Sequence, residues 1–235
     1  MQRAVRLVGA GRSFGAVEAV RPLDVEVVRG RCVGVIGHNG SGKSTLLQLI
    51  AGRLRATAGV VEVCGVDVAT PVGRGVVRER VSVGGAVAAF YPDLTVREHL
   101  ELVAAAHGVD DAGARVDRLL GRFDLAARDG ALPGQLSSGM RQKLDLACAW
   151  VRPFELLLLD EPDRGLDPAA RRRVWADVEV ACGQGTTVLV AAHQLEGLDG
   201  VFDEVWLFEH GALVERGPLG EVRRSDAARR LGLVG

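Results

Sequence analysis

"CVGVIGHNGSGKSTLLQLIAG", residues 32–52, decides the fold. It opens as a short apolar run, passes through a glycine-rich loop and closes on a helix-like Ser44–Gly52. The loop, Gly37 to Ser44, fits G-x-x-x-x-G-K-[S/T], and a strand before with a helix after is the context that pattern requires. Its glycines let successive backbone N–H groups converge on phosphate oxygens, where a helix N-terminus adds favourable partial charge. Lys43 is placed to reach the β- and γ-phosphates, and the Ser44 hydroxyl to ligate Mg²⁺. Of 29 lysines and arginines only Lys43 and Lys143 are lysines, so a lysine at this position is informative.

Working outward, 235 residues can bury one large core or two modest lobes. Hydrophobic residues make up 48% and charged residues 25%, which describes a folded chain. A formal net charge of −1 gives no electrostatic footprint for DNA or RNA, and we expect no nucleic-acid partner. Cys32, Cys64, Cys148 and Cys182 lie far apart without C-x-x-C spacing, which suits reduced thiols better than a disulfide frame or zinc site. The N-terminus lacks an apolar signal region, and no uninterrupted apolar run approaches the ~18 residues of a membrane span. The expectation is a chain soluble by itself, with no room for a sizeable regulatory domain after its core.

Short β-like runs precede the loop at Ala4–Val8, Leu23–Val28 and Cys32–Gly37, and Gly59–Val68 reads as a β-hairpin. From about Thr95 to Arg128 the pattern is helical. Met140 to Val151 reads as a further helix with Met140, Leu144, Ala147, Cys148 and Val151 on one face. Strand and helix patterns then alternate: ELLLLD, PAARRRVWADVEVA, TTVLVAA, a short helix, EVWLF. Alternation of this kind means a parallel sheet with right-handed crossovers. Leu156–Pro162 reads as a buried strand ending in two carboxylates, Asp160 and Glu161. Asp160 at its end suits Mg²⁺ beside Ser44, and Glu161 is placed to take a proton from an attacking water.

Further on, "QLSSGMRQK", Gln135 to Lys143, resembles the signature loop of the ATP-binding-cassette (ABC) transporter ATPases, usually written LSGGQ. The resemblance covers nearly the whole chain, with several motifs in the family's order. Phe14 matches the aromatic that stacks on adenine. Gly37, His38, Asn39, Gly40, Ser41, Gly42, Lys43, Ser44 and Thr45 match Walker A, and Asp160 with Glu161 matches Walker B. Gly165-Leu166-Asp167 matches the D-loop and His193 the switch histidine.

The resemblance implies an α/β fold: a P-loop NTPase core with a mostly parallel sheet, an N-terminal antiparallel β portion and a helical signature subdomain. It implies one nucleotide-binding domain over residues 1–235, with core 1–83 and 154–235 and a helical insert at about 84–153. ATP and Mg²⁺ are the implied cofactors. Lys43, Glu161 and His193 are the implied catalytic groups, and Ser44 and Asp160 the metal ligands. In that family two cassettes pair head to tail, so Ser137, Ser138 and the Gly139 amide would meet the γ-phosphate held by a partner, with Asp167 also at the nucleotide. The implied partners are a transmembrane permease, met near Gly84 to Leu100, and a second cassette, either a copy or a sister chain. The implied place is the cytoplasmic face of the cell membrane. The SSGM variant favours export over import. The alternative is a non-transport cassette acting in translation or DNA maintenance, but the second cassette, long insert or basic linker usual there is absent from this sequence.

The chain departs from the family at several points. Ala86 stands where a glutamine is usual, and no Gln or Asn occurs between Gln48 and Gln135. We expect turnover to survive this with weaker coupling or Mg²⁺ affinity. Ser138 replaces the first signature glycine, Met140 the glutamine, and Asp163 a threonine or serine. Asp167 as N-cap and Pro168 at the first helical position place Arg171–Arg173 on a solvated helix face. His38, His99, His107 and His210 show no metal-ligand spacing.

Overall fold

The computed structural model describes residues 2–85, 89–194 and 200–233. Strands β1 (Arg3–Phe14) and β2 (Val17–Val28) form an antiparallel hairpin, longer at both strands than the apolar runs alone suggest. β3 (Cys32–Ile36) is buried throughout and leads through the glycine loop into α1 (Lys43–Ile50). The expected hairpin is β4 (Ala58–Val63) with β5 (Val66–Asp67). Its two turn residues, Cys64 and Gly65, both have positive φ (51° and 82°), the geometry that a right-twisted two-residue hairpin needs. β1 also pairs with β4, which gives a four-stranded antiparallel sheet in the order β2-β1-β4-β5.

α2 (Pro71–Arg80), not legible in the sequence, delivers the chain to β6 (Val81–Gly84). The helical stretch expected from Thr95 to Arg128 divides into α3 (Val96–Ala106), α4 (Ala112–Arg122) and a 3₁₀ turn at Ala126–Arg128. A capping box starts α3: Thr95 Oγ1 accepts the Glu98 N–H and Glu98 accepts the Thr95 N–H. The signature helix is α5 (Ser138–Trp150), two residues earlier than expected. It is also buried around more of its circumference than one face, because Asp145, Leu146, Ala149 and Trp150 are enclosed as well as Leu144 and Ala147. β7 (Leu156–Asp160), α6 (Pro168–Gly183), β8 (Thr187–Ala192) and β9 (Glu204–Glu209) follow the predicted alternation. The short helix expected between β8 and β9 falls largely on 195–199, outside the described residues. β10 (Ala212–Gly217), α7 (Leu219–Val222) and α8 (Asp226–Arg230) complete the chain beyond what the sequence pattern gave.

The second sheet runs β10-β9-β3-β8-β7-β6, parallel except for β9 with β10. Its central strands are buried on both faces, so they read as near-continuous Val/Leu runs instead of alternating ones. One face (Ile36, Leu157, Leu159, Val188, Val190, Val205, Leu207) packs with the apolar sides of α3 to α6 in one cluster. The other (Val33, Val35, Leu156, Leu158, Leu189, Trp206, Phe208) packs with α1 and the antiparallel sheet. The order of the parallel strands matters for function. The carboxyl ends of β3, β8, β7 and β6 lie side by side, with Ile36 opposite Ala192 and Asp160 opposite Ala191. Ligands of open α/β sheets bind beyond such ends.

Candidate functional site

Gly37 leaves β3 where no side chain fits: a Cβ there would sit 2.2 Å from the Phe208 carbonyl oxygen. Gly42 has φ +104° and would collide with Ala19 O at 2.2 Å, so left-handed backbone and close approach both require glycine. The loop is tied down by Gly211 N–H donating to Ser41 O at 2.9 Å. No side chain caps α1, so its first N–H groups are left facing the loop, which is an anion site by construction. Lys43 is buried, and its ammonium donates to Gly37 O (2.7 Å) and His38 O (2.9 Å). Burial lowers its pKa, while the charges of Glu161 and Asp160 oppose that shift.

Across the sheet, Asp160 closes β7. Burial raises its pKa, a hydrogen bond from Ser44 works against that, and the neighbouring Glu161 charge adds to it. Glu161 follows with φ +52°, uncommon for a non-glycine residue, and its N–H donates to Ala191 O at 2.9 Å. Its carboxylate is held from two sides: His193 Nε2 lies 2.5 Å from one oxygen, and the exposed Arg164 guanidinium 3.6 Å from the other. A cleft of ≈ 580 Å³ opens beside this cluster, lined by Asn39, Glu161, Asp163, Arg164, Arg171, Arg172, Trp175, Ala192, His193 and Gln194. The fold thus brings Lys43, Ser44, Asp160, Glu161 and His193 to one edge.

The residues present fit a nucleotide with its magnesium ion. Ser41 Oγ and Asp160 Oδ1 are buried without a hydrogen-bond partner in the chain. One carboxylate and one hydroxyl are the sparse protein donor set usual for Mg²⁺, which keeps waters and phosphate oxygens as its remaining ligands.

Other expected residues are placed differently. Phe14, at the end of β1, is 47% exposed, and one of its faces is covered by the Arg12 guanidinium at 4.4 Å from the ring centroid. An adenine would have the other face. Ser137 caps α5, its Oγ accepting the Met140 N–H at 3.2 Å, and Ser137 and Ser138 are solvent-exposed and do not line the cleft. Asp167 caps α6 with one oxygen accepting from Ala169 and Ala170, 2.9 Å each, so that oxygen is engaged within its own helix. Arg171, Arg172 and Arg173 lie on an exposed helix face as expected, and two of them also form ion pairs, Arg171 with Asp163 at 3.4 Å and Arg173 with Asp124 at 2.8 Å. His99 is buried, accepting Tyr91 N–H at 3.0 Å with its other ring nitrogen 2.7 Å from Thr95 O, an architectural role. Ala86 lies outside the described residues. Sequence reasoning missed Arg12, Gln142 and Arg164 as neighbours of the site. Gln142 contacts residues 19 and 20 positions away, which no local spacing rule reveals.

Comparison with known proteins agrees with this fold. A family profile described as ABC transporter matches residues 20–164. The daunorubicin resistance ATP-binding protein DrrA3 of Streptomyces coeruleorubidus is 39% identical over 233 residues, which is 98% of this chain and 73% of that one. The methionine import ATP-binding protein MetN 2 of Burkholderia mallei is 37% identical over 88% of this chain and 54% of its own length. A solved structure of the ATP-binding subunit of an ABC transporter superimposes with a TM-score of 0.85 at 28% identity, covering 99% of this chain and 95% of its own. The chain belongs to the ABC transporter family, as one of its ATP-binding, ATP-hydrolysing subunits.

Proposed function

We propose that this subunit is one half of a nucleotide sandwich that drives a separate membrane permease from the cytoplasmic face of the membrane. Residues 1–235 form one nucleotide-binding domain, with a core at 1–83 and 154–235 and a helical insert at about 84–153. The convergence of Lys43, Ser44, Asp160, Glu161 and His193 on the carboxyl edge of one sheet carries this proposal. The loop amides of Gly37–Thr45 and the Lys43 ammonium neutralise the phosphates, and Phe14 stacks on the base. Ser44 and Asp160 would hold Mg²⁺, which supplies charge neutralisation across the phosphates when bound. Glu161 accepts the proton of the attacking water, and His193, 2.5 Å from its carboxylate, fixes which way that carboxylate faces.

The second cassette contributes its signature. Ser137 and Ser138 stand exposed, with Gly139 half-buried beside them, at the positive end of α5, available to a phosphate on another chain. Asp167 sits at the same interface. The donors of two chains then share one γ-phosphate, and cleaving it removes much of what holds them closed. Among the described residues no helix is long and apolar enough to cross a membrane. Export is supported by a relative named for it, the Nod factor export ATP-binding protein I of Burkholderia orbicola, 34% identical over 88% of this chain.

The test uses two variants of the full chain. Lys43→Ala loses ATP binding or turnover. Glu161→Gln binds ATP with Mg²⁺, turns over at least about a hundredfold more slowly, and accumulates as a dimer in light scattering. Full turnover in either variant rejects that residue's role, and a Glu161→Gln protein that stays monomeric with Mg²⁺ and ATP rejects the sandwich.

A further inference from the structure

We propose that Gln142, one turn into the signature helix, is a positioning residue for Glu161, so that the signature segment and the catalytic carboxylate of the same chain move together. The Gln142 side-chain amide donates to two successive backbone carbonyls, Glu161 O and Pro162 O, at 3.2 Å each. One planar group bonded to both fixes the tilt of the peptide between them, and with it the direction in which the Glu161 side chain leaves the backbone. That backbone needs external restraint. A left-handed φ of +52° costs a non-glycine residue ~1 kcal/mol or more, and persists only where its surroundings over-determine it. The restraint comes from β8 on one side, through Glu161 N–H to Ala191 O, and from Gln142 on the other.

Two further contacts lie on the same ridge of the helix, at positions three residues apart. At Gly139 a Cβ would lie 2.9 Å from Gly165 O, so the start of α5 rests directly on the turn after Glu161. Asp145 accepts a hydrogen bond from the buried Gly85 N–H just beyond β6, and a Cβ at Gly85 would lie 2.3 Å from Asp160 O. Residues 139, 142 and 145 therefore all seat on backbone of the segments that follow β7 or β6. A displacement of the signature end is delivered to Glu161 through this ridge without passing through the rest of the core. The inference rests on Glu161 being the proton acceptor and on the signature meeting a partner's nucleotide. Given both, a filled phosphate loop on one chain sets the carboxylate geometry on the other.

The experiment compares full-length Gln142→Ala, Gln142→Glu and Gln142→Lys. Glutamate keeps the size but turns an oxygen towards the two carbonyls, and lysine restores a donor. We expect kcat to fall about ten- to a hundredfold in the first two, the scale of a misplaced catalytic group, and to recover at least in part with lysine. KM for ATP, and ATP-driven pairing when Gln142→Ala is combined with Glu161→Gln, stay within about threefold of the parent. Hydrogen exchange at residues 161–166 quickens in Gln142→Ala and Gln142→Glu. Unchanged kcat with unchanged exchange overturns the proposal. So does a fall in kcat that comes with an equal loss of ATP affinity or pairing, since the residue would then merely hold the helix. Glu161→Gln measured alone keeps the underlying reading separate: retained turnover there removes Glu161 from its role, whatever Gln142 does.

Discussion

A single carboxyl shows how much residue chemistry is hidden from composition. Asp145 sits in the middle of the signature helix at a position that burial encloses, accepting a hydrogen bond from the Gly85 amide. Burial pushes its pKa up to about 6 from 3.8, against the pull of that amide and of Arg53. Its contribution to stability is complete below pH 3.8, where folded and unfolded chains both hold the proton. It falls as the unfolded carboxyl ionises, and is lost by the time pH has risen through about 6. The loss amounts to about 3 kcal/mol. Asp145→Asn keeps an acceptor for Gly85 and carries no charge, so it should melt several degrees above the parent at pH 8. The gap should narrow to about half of its free energy near pH 5, and close towards pH 4. Equal melting temperatures at pH 8 would show that the carboxyl is solvated in the folded chain. Lys43, Asp160 and Glu161 were legible because a motif fixes them in sequence, whereas Asp145 was not, since its environment comes from strands 60 residues away.

At the level of elements, legibility followed the strength of the local pattern. The buried parallel strands and the phosphate-loop helix announced themselves as apolar runs beside glycines. α2 did not, because PVGRGVVRER carries two glycines and little apolar periodicity. Its start was still written in the sequence: Thr70 caps it, accepting Gly73 N–H at 3.0 Å, and Pro71 takes the first helical position. The two glycines have opposite reasons to be there. A Cβ at Gly73 would lie 1.9 Å from Asp67 O, a contact that only glycine permits, whereas at Gly75 it would meet nothing within 4 Å. Gly75→Ala should therefore stabilise the chain by roughly 0.5–1 kcal/mol through helix propensity alone. Gly73→Ala, the same exchange two residues earlier, should destabilise it by more than that, because backbone must move. Thermal melts of the two variants read this directly. Equal shifts would mean that α2 does not pack on the β5 turn as described. The tail elements β10, α7 and α8 escaped for another reason. They are short, and Leu219, Val222 and Ala228 are buried only because the sheet is already there to receive them.

For the molecule as a whole, one site is built and the other is half built. The phosphate loop, Asp160, Glu161 and His193 meet within one chain, while Ser137 and Ser138 face solvent at the start of α5. In the proposed head-to-tail pair, taken as two copies, each chain would complete the other's site, and that geometry has a consequence that a cis arrangement lacks. In such a pair each composite site takes its phosphate loop from one chain and its signature from the other. Lys43→Ala spoils the loop and Ser137→Arg the signature, so each variant alone should be inactive, with no intact site in any pair. Mixed in equal amounts, two copies assort at random, and half of the pairs contain one of each variant. In those pairs the spoiled loop faces the spoiled signature, and the intact loop faces the intact one. Turnover should return to at most about a quarter of the parent rate, one working site in half of the pairs. Ser137→Ala is the control for the N-cap, whose loss alone costs about 1 kcal/mol and leaves no bulky cation at the interface. It should pair with ATP where Ser137→Arg does not, while both bind nucleotide in the monomer with the parent's affinity. If the mixture stays silent although each variant binds or pairs as its remaining intact half allows, the loop and the signature of this chain do not serve one another across a pair of copies.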